Sequence, residues 1–152
     1  MSKKIYLVSA CLLGINCRYN GSSSLIPELE SLVNSGRVVP VCPEVLGGLN
    51  TPREACEIVL QPDGSKKVLT QAGGDCSPEF LTGAKKVLEI CKVCEVKEVI
   101  LKANSPSCGC GAIYDGTFSG KLIDGNGLTA ELLIENGIKV YNENNWDTAV
   151  FE

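Results

Sequence analysis

The run Ile5-Tyr6-Leu7-Val8-Ser9-Ala10-Cys11 decides how the rest of the chain is read. After Lys3 and Lys4 it has the outline of a secretory leader, but its apolar stretch is only of strand length and Ser9 interrupts it at once. It reads instead as a β-strand covered on both faces, the kind found in parallel sheets. The segments downstream alternate in the way such a sheet needs. Residues 24–36 predict a helix, with Pro27 in the first turn, Leu29, Leu32 and Val33 on one face and Gly36 at the end. Residues 37–41 predict a second strand, with Pro40 at its end or on an outer edge because it lacks an amide donor. Residues 56–61 and 66–70 flank the turn signal Pro62-Asp63-Gly64 and predict a hairpin. From Ser77 to about Glu95, Phe80, Ala84, Val87, Leu88 and Cys91 recur at helical spacing. Residues 99–101 predict a third strand, 128–136 a last helix closed by Gly137, and 138–141 a last strand. Residues 102–126 carry no helical period and read as one long glycine-rich loop, a length that usually signals function. The expectation is an α/β fold, a three-layer, Rossmann-like sandwich around a mostly parallel sheet with a small hairpin appendage, as one domain over residues 1–152.

Composition narrows the chemistry. The chain has 152 residues, a formal net charge of −4 and no long basic run, which disfavours duplex nucleic acid as a partner. No apolar run approaches the length of a membrane span. Histidine is absent, which removes Ser-His and Cys-His nucleophile pairs, imidazole ligands and imidazole proton shuttles. Nine cysteines remain. Their odd number and the clear regular elements argue against a secreted disulfide framework and for a cytoplasmic protein with free or metal-bound thiols.

Three of those cysteines have related positions. Cys11 follows the first strand, Cys42 the second, and Cys108 lies in the loop after the third. Ligands of open parallel sheets bind outside the carboxyl ends of the strands, so the three are expected at one rim. Converging thiolates repel, and a metal is the usual remedy. Zinc would need a fourth ligand from another cysteine, a carboxylate or water. A [4Fe–4S] cluster held by three thiolates would keep one iron open as a Lewis acid. Three buried structural thiols are the competing reading, since cysteine is a common core residue.

Motifs around these cysteines sharpen the reading. Ser9-Ala10-Cys11-Leu12-Leu13-Gly14 with Arg18-Tyr19-Asn20-Gly21 comes first. Val41-Cys42-Pro43-Glu44-Val45-Leu46-Gly47-Gly48-Leu49 with Pro52-Arg53 comes second, and Lys102-Ala103-Asn104-Ser105-Pro106-Ser107-Cys108-Gly109 third. Together with Gly127-Leu128-Thr129-Ala130 they resemble the signatures of the thiouracil desulfidase (TudS-like, YbbK-like) family, long catalogued as a bacterial domain of unknown function. Asn20 stands where the first signature more often has Asp. The resemblance implies a [4Fe–4S] cluster held by Cys11, Cys42 and Cys108, with Glu44 and Ser105 assisting proton transfer and orientation. It implies non-redox hydrolysis of a carbon–sulfur bond, releasing hydrosulfide from a thiolated pyrimidine base or nucleotide. A cluster or zinc carrier without turnover, and a thiol redox protein using Cys91 and Cys94, are the alternatives.

Other residues have competing roles. Without the resemblance, Ser105 reads as a turn-forming hydroxyl before Pro106. Glu44 could serve as a helix N-terminal carboxylate or as a partner for Arg53. Arg18 and Arg53 could pair with carboxylates or hold a phosphate, and Lys102 could bind an anionic substrate or stand solvated. Cys17 and Cys110 are spare thiols near the expected ligands. Cys91 falls on the apolar helical stripe, and Cys56 and Cys76 read as packing or loop residues.

Overall fold

The computed structural model describes residues 4–146. Four short strands form the central sheet: β1 (Tyr6–Ser9), β2 (Val38–Val41), β5 (Glu98–Ile100) and β8 (Lys139–Tyr141). They lie in the order β2-β1-β5-β8, and every neighbouring pair is parallel. The run Ile5–Cys11 holds β1, one of the sheet's two inner strands, and all four β1 residues are buried. Alternation sends its side chains to opposite faces. Tyr6 and Val8 join Leu29 and Leu32 on one side, and Leu7 joins Val87, Cys91 and Leu133 on the other. At about 1.5–3 kcal/mol for each large apolar side chain buried, these two layers dominate the stability of the sandwich. Pro40 lies on β2, an outer strand, where a missing amide is tolerated.

The helices fill the outer layers. Helix α1 (Glu30–Asn34) is shorter than the sequence suggests, because Pro27–Leu29 forms a separate 3-10 turn ahead of it. Helix α3 (Ser77–Val93) follows its predicted stripe, with Phe80, Ala84, Val87 and Cys91 buried. Helix α4 (Leu128–Glu135) packs against α3 and β8. A four-residue helix, α2 (Pro43–Leu46), follows β2 directly and puts Glu44 in its first turn. It is pressed onto α3 through two glycines. A Cβ on Gly47 would land on the Glu79 carbonyl, and one on Gly83 on the Pro43 carbonyl.

The expected hairpin is present as β3 (Cys56–Leu60) and β4 (Lys66–Thr70), paired antiparallel. The region read as one long loop holds a second hairpin, β6 (Ala112–Tyr114) and β7 (Leu122–Asp124). Its strands are three residues long and β7 is wholly exposed, so no buried alternation marks it in the sequence. Among the described residues no helix is long and apolar enough to cross a membrane.

Candidate active site

Each predicted cysteine is held by a different local device at the carboxyl end of its strand. Cys11 sits in a 3-10 turn, Ala10–Leu13, that continues β1 and is stopped by Gly14 in the left-handed region at φ 90°. Cys42 is the residue before α2, with Pro43 at the first helical position and Glu44 next. Cys108 lies in a turn built by Ser105, whose Oγ accepts the backbone amides of Ser107 and Cys108, each at 3.0 Å. That turn is fixed from below by a buried Ser107–Thr129 hydroxyl pair at 2.7 Å. Gly127 packs so closely on Ser107 that a Cβ there would strike its carbonyl group.

Strands β2, β1 and β5 are neighbours, so the three turns meet at one rim. Cys11, Cys42 and Cys108 all line a single cavity of about 390 Å³, together with Glu44 and Ser105. Burial pushes the Cys11 thiol up to about 11 and the Cys42 thiol up to about 12, and it holds Cys108 well above the ordinary range. At all three, the carboxylate of Glu44 is the next cause after burial, so one acidic group faces the whole trio. Deprotonating such a set requires a compensating positive charge, which a bound metal centre provides.

Glu44 is oriented by Arg53. Nη2 of Arg53 lies 3.2 Å from Glu44 Oε2, and both side chains are largely buried. The guanidinium also donates to the Cys17 carbonyl at 3.1 Å and to Asn50 O and Thr51 Oγ1, so pairing is its role. The second carboxylate oxygen, Oε1, is buried and has no hydrogen-bond partner. An orphaned carboxylate oxygen beside three thiols is costly in a finished core and useful in a site that receives a proton donor.

Other residues sort clearly. Lys102 pairs with Glu143 at 2.7 Å and is not a free cation. Arg18 lies over the Tyr19 ring, 5.7 Å from its centroid, and lines the cavity. Asn20 closes a local turn by accepting from Ser22, a task Asp performs equally well. Cys17 is buried on the cavity wall, its carbonyl 3.7 Å from the Cys42 sulfur. Cys110 packs away from the rim toward Val140, Cys91 is in the core, and Cys94 is exposed at the end of α3. Cys56 is more than a packing residue, since it reaches the cavity wall and its thiol interacts with that of Cys76. One contributor escaped the sequence reading altogether. The buried Ser9 hydroxyl accepts the Lys102 amide at 3.0 Å and donates to the Cys108 sulfur at 3.6 Å.

Comparison with known proteins shows the family. The 2-thiouracil desulfurase family model matches residues 6–145. YbbK, an uncharacterized protein of Bacillus subtilis (strain 168), is 48% identical over 143 residues, covering 91% of this chain and 95% of its own. A solved structure of the [4Fe–4S]-dependent thiouracil desulfidase TudS is 40% identical and matches with a TM-score of 0.90, covering 98% of this chain and 97% of its own. With a family model spanning nearly all of the described residues and relatives at 48% and 40% identity over almost their whole length, the chain belongs to the 2-thiouracil desulfurase family.

Proposed function

We propose that the chain is a cytoplasmic thiouracil desulfidase that holds a [4Fe–4S] cluster through Cys11, Cys42 and Cys108 and hydrolyses the carbon–sulfur bond of a thiolated pyrimidine. The observation that carries the reading is the set of three thiols and one oriented carboxylate on a single cavity at the sheet's rim. The overall change is a thiocarbonyl plus water giving a carbonyl plus hydrogen sulfide, with no net oxidation. Such a cluster, held by Cys11, Cys42 and Cys108, would supply a soft Lewis acid for the departing sulfur.

The chain's own groups do the rest. Arg53 fixes Glu44 by Oε2, which leaves Oε1 to take the proton of the attacking water at the pyrimidine carbon. Ser105 has its oxygen engaged by two amides, so its hydrogen is left to donate to the substrate. Ser9 donates to the Cys108 sulfur and so favours the thiolate required for iron binding. The partner is a small molecule, base or nucleotide, rather than duplex nucleic acid, and the whole activity resides in one domain.

Anaerobic reconstitution with iron and sulfide tests this directly. A brown protein with about four irons per chain is expected, and it should release hydrosulfide from 4-thiouracil or its nucleotide. A reconstituted protein that holds the iron but releases none refutes the enzymatic reading. A protein that binds one zinc and no iron refutes the cluster.

A further inference from the structure

The β6–β7 hairpin holds none of the thiols, yet Tyr114, Phe118 and Gly120 from it line the same cavity. Its tip is a tied turn. Asp115 Oδ1 accepts the Thr117 amide at 2.9 Å and the Thr117 hydroxyl at 2.6 Å, and the Asp115 amide bonds the Lys121 carbonyl at 3.0 Å. Two contacts clamp this tip to β3. Gly116 lies so close to the strand that a Cβ there would sit 2.7 Å from the Ile58 carbonyl oxygen. Glu57 of β3, itself buried, uses the single oxygen Oε1 to accept the amides of Gly116 at 3.0 Å and Phe118 at 3.1 Å. Burying a carboxylate is expensive unless it is bonded, and here both bonds go to one foreign turn. Under that clamp Phe118 adopts φ 57°, a left-handed conformation that bulky residues rarely occupy. Strain is thus held at a residue of the cavity wall, where it signals a functional constraint.

We propose that Phe118 seats the substrate's flat heterocycle by stacking, and that Glu57 is the positioning residue that keeps Phe118 in place. The inference rests on the desulfidase reading and adds to it the residue that recognises the ring. A thiolated pyrimidine is planar and polarisable, and an aromatic side chain binds such a face whatever its ring substituents. The clamp explains why a charged residue of a hairpin strand is buried.

The test uses anaerobically reconstituted holoenzyme, with 4-thiouracil turnover and calorimetric binding of uracil as separate readouts. Phe118→Ala should raise both the KM and the uracil Kd about tenfold, the order expected for one lost stacking partner. Its kcat should stay within about threefold of wild type and its visible absorption should be unchanged, because no proton-transfer group has moved. Phe118→Tyr should restore wild-type values. Glu57→Ala should reproduce the Phe118→Ala defect, whereas Glu57→Gln, which keeps a carbonyl oxygen for both amides, should lie near wild type. The double variant Glu57→Ala with Phe118→Ala should be no worse than Phe118→Ala alone. Unchanged KM and uracil affinity in Phe118→Ala, with an active wild type, overturns the stacking role. Additive defects in the double variant overturn the positioning role. A wild-type holoenzyme inert toward thiouracils overturns the desulfidase reading beneath both.

Discussion

Replacing Glu44 by Gln separates binding from chemistry more cleanly than any other change in the site. The amide preserves volume and can still accept from Arg53, whose guanidinium also keeps its bonds to Cys17, Asn50 and Thr51. What is lost is one charge-assisted bond exchanged for a neutral one, a difference of about 1 kcal/mol. For a domain of this size that lowers Tm by about 2–4 °C. The three thiols lose the acidic neighbour that, after burial, most opposes their ionisation, so metal-centre retention should be equal or better. Chemistry should suffer far more, because the amide cannot take the proton of the attacking water. The expected fall in turnover is about 10²–10⁴-fold, which corresponds to about 3–5 kcal/mol of barrier. The assay is anaerobic release of hydrosulfide from 4-thiouracil, normalised to iron content and paired with a thermal melt. Activity within a few-fold of wild type would show that Glu44 serves only to hold Arg53. Loss of iron together with activity would place Glu44 in the ligand shell instead.

Further outcomes follow from the same geometry. Cys11→Ser, Cys42→Ser and Cys108→Ser should each abolish or badly weaken iron retention after reconstitution, while Cys91→Ala and Cys94→Ser should retain it by iron analysis. Gly83→Ala should cost about 1–3 kcal/mol by overpacking, read as a lowered denaturation midpoint. It should also reduce turnover, because the added methyl pushes on Pro43, between Cys42 and Glu44. Burial holds the Cys91 thiol up at about 11 against an ordinary 9.0, so above pH 9 the unfolded chain releases that proton first. Stability should therefore decline as pH rises from 9 through 11, and chemical denaturation of Cys91→Ala should show a shallower decline.

The sheet and the thiol rim were legible in the sequence because both rest on strong local signals. Buried parallel strands are short apolar runs, and Cys11 and Cys42 each stand directly behind one. The amphipathic stripe of α3 has the same clarity. Where local signals are weak, the reading stopped short. Helix α2 is a single turn between Cys42 and Gly47, stabilised by glycine-to-helix packing that leaves no periodicity. The second hairpin has an outer strand, Leu122–Asp124, that is apolar in part yet exposed, which defeats the usual alternation. Ser9 bonds residues 93 and 99 positions away, so its role arises only on folding. The same holds for Glu57 and Phe118, whose partnership joins two hairpins. Cys56 and Cys76 looked unrelated because β3 and the start of α3 meet only in three dimensions.

The sheet itself acts as a ruler. Adjacent strands are spaced by about 4.8 Å through their hydrogen bonds, and the turns bearing Cys42, Cys11 and Cys108 leave three consecutive strands, β2, β1 and β5. The order of the three turns along the rim is therefore set by the backbone ladder. Residues lining the remaining walls can change what is recognised without altering the gauge on which the sulfurs are set. A scaffold of this kind tolerates new substrates more readily than a new metal centre.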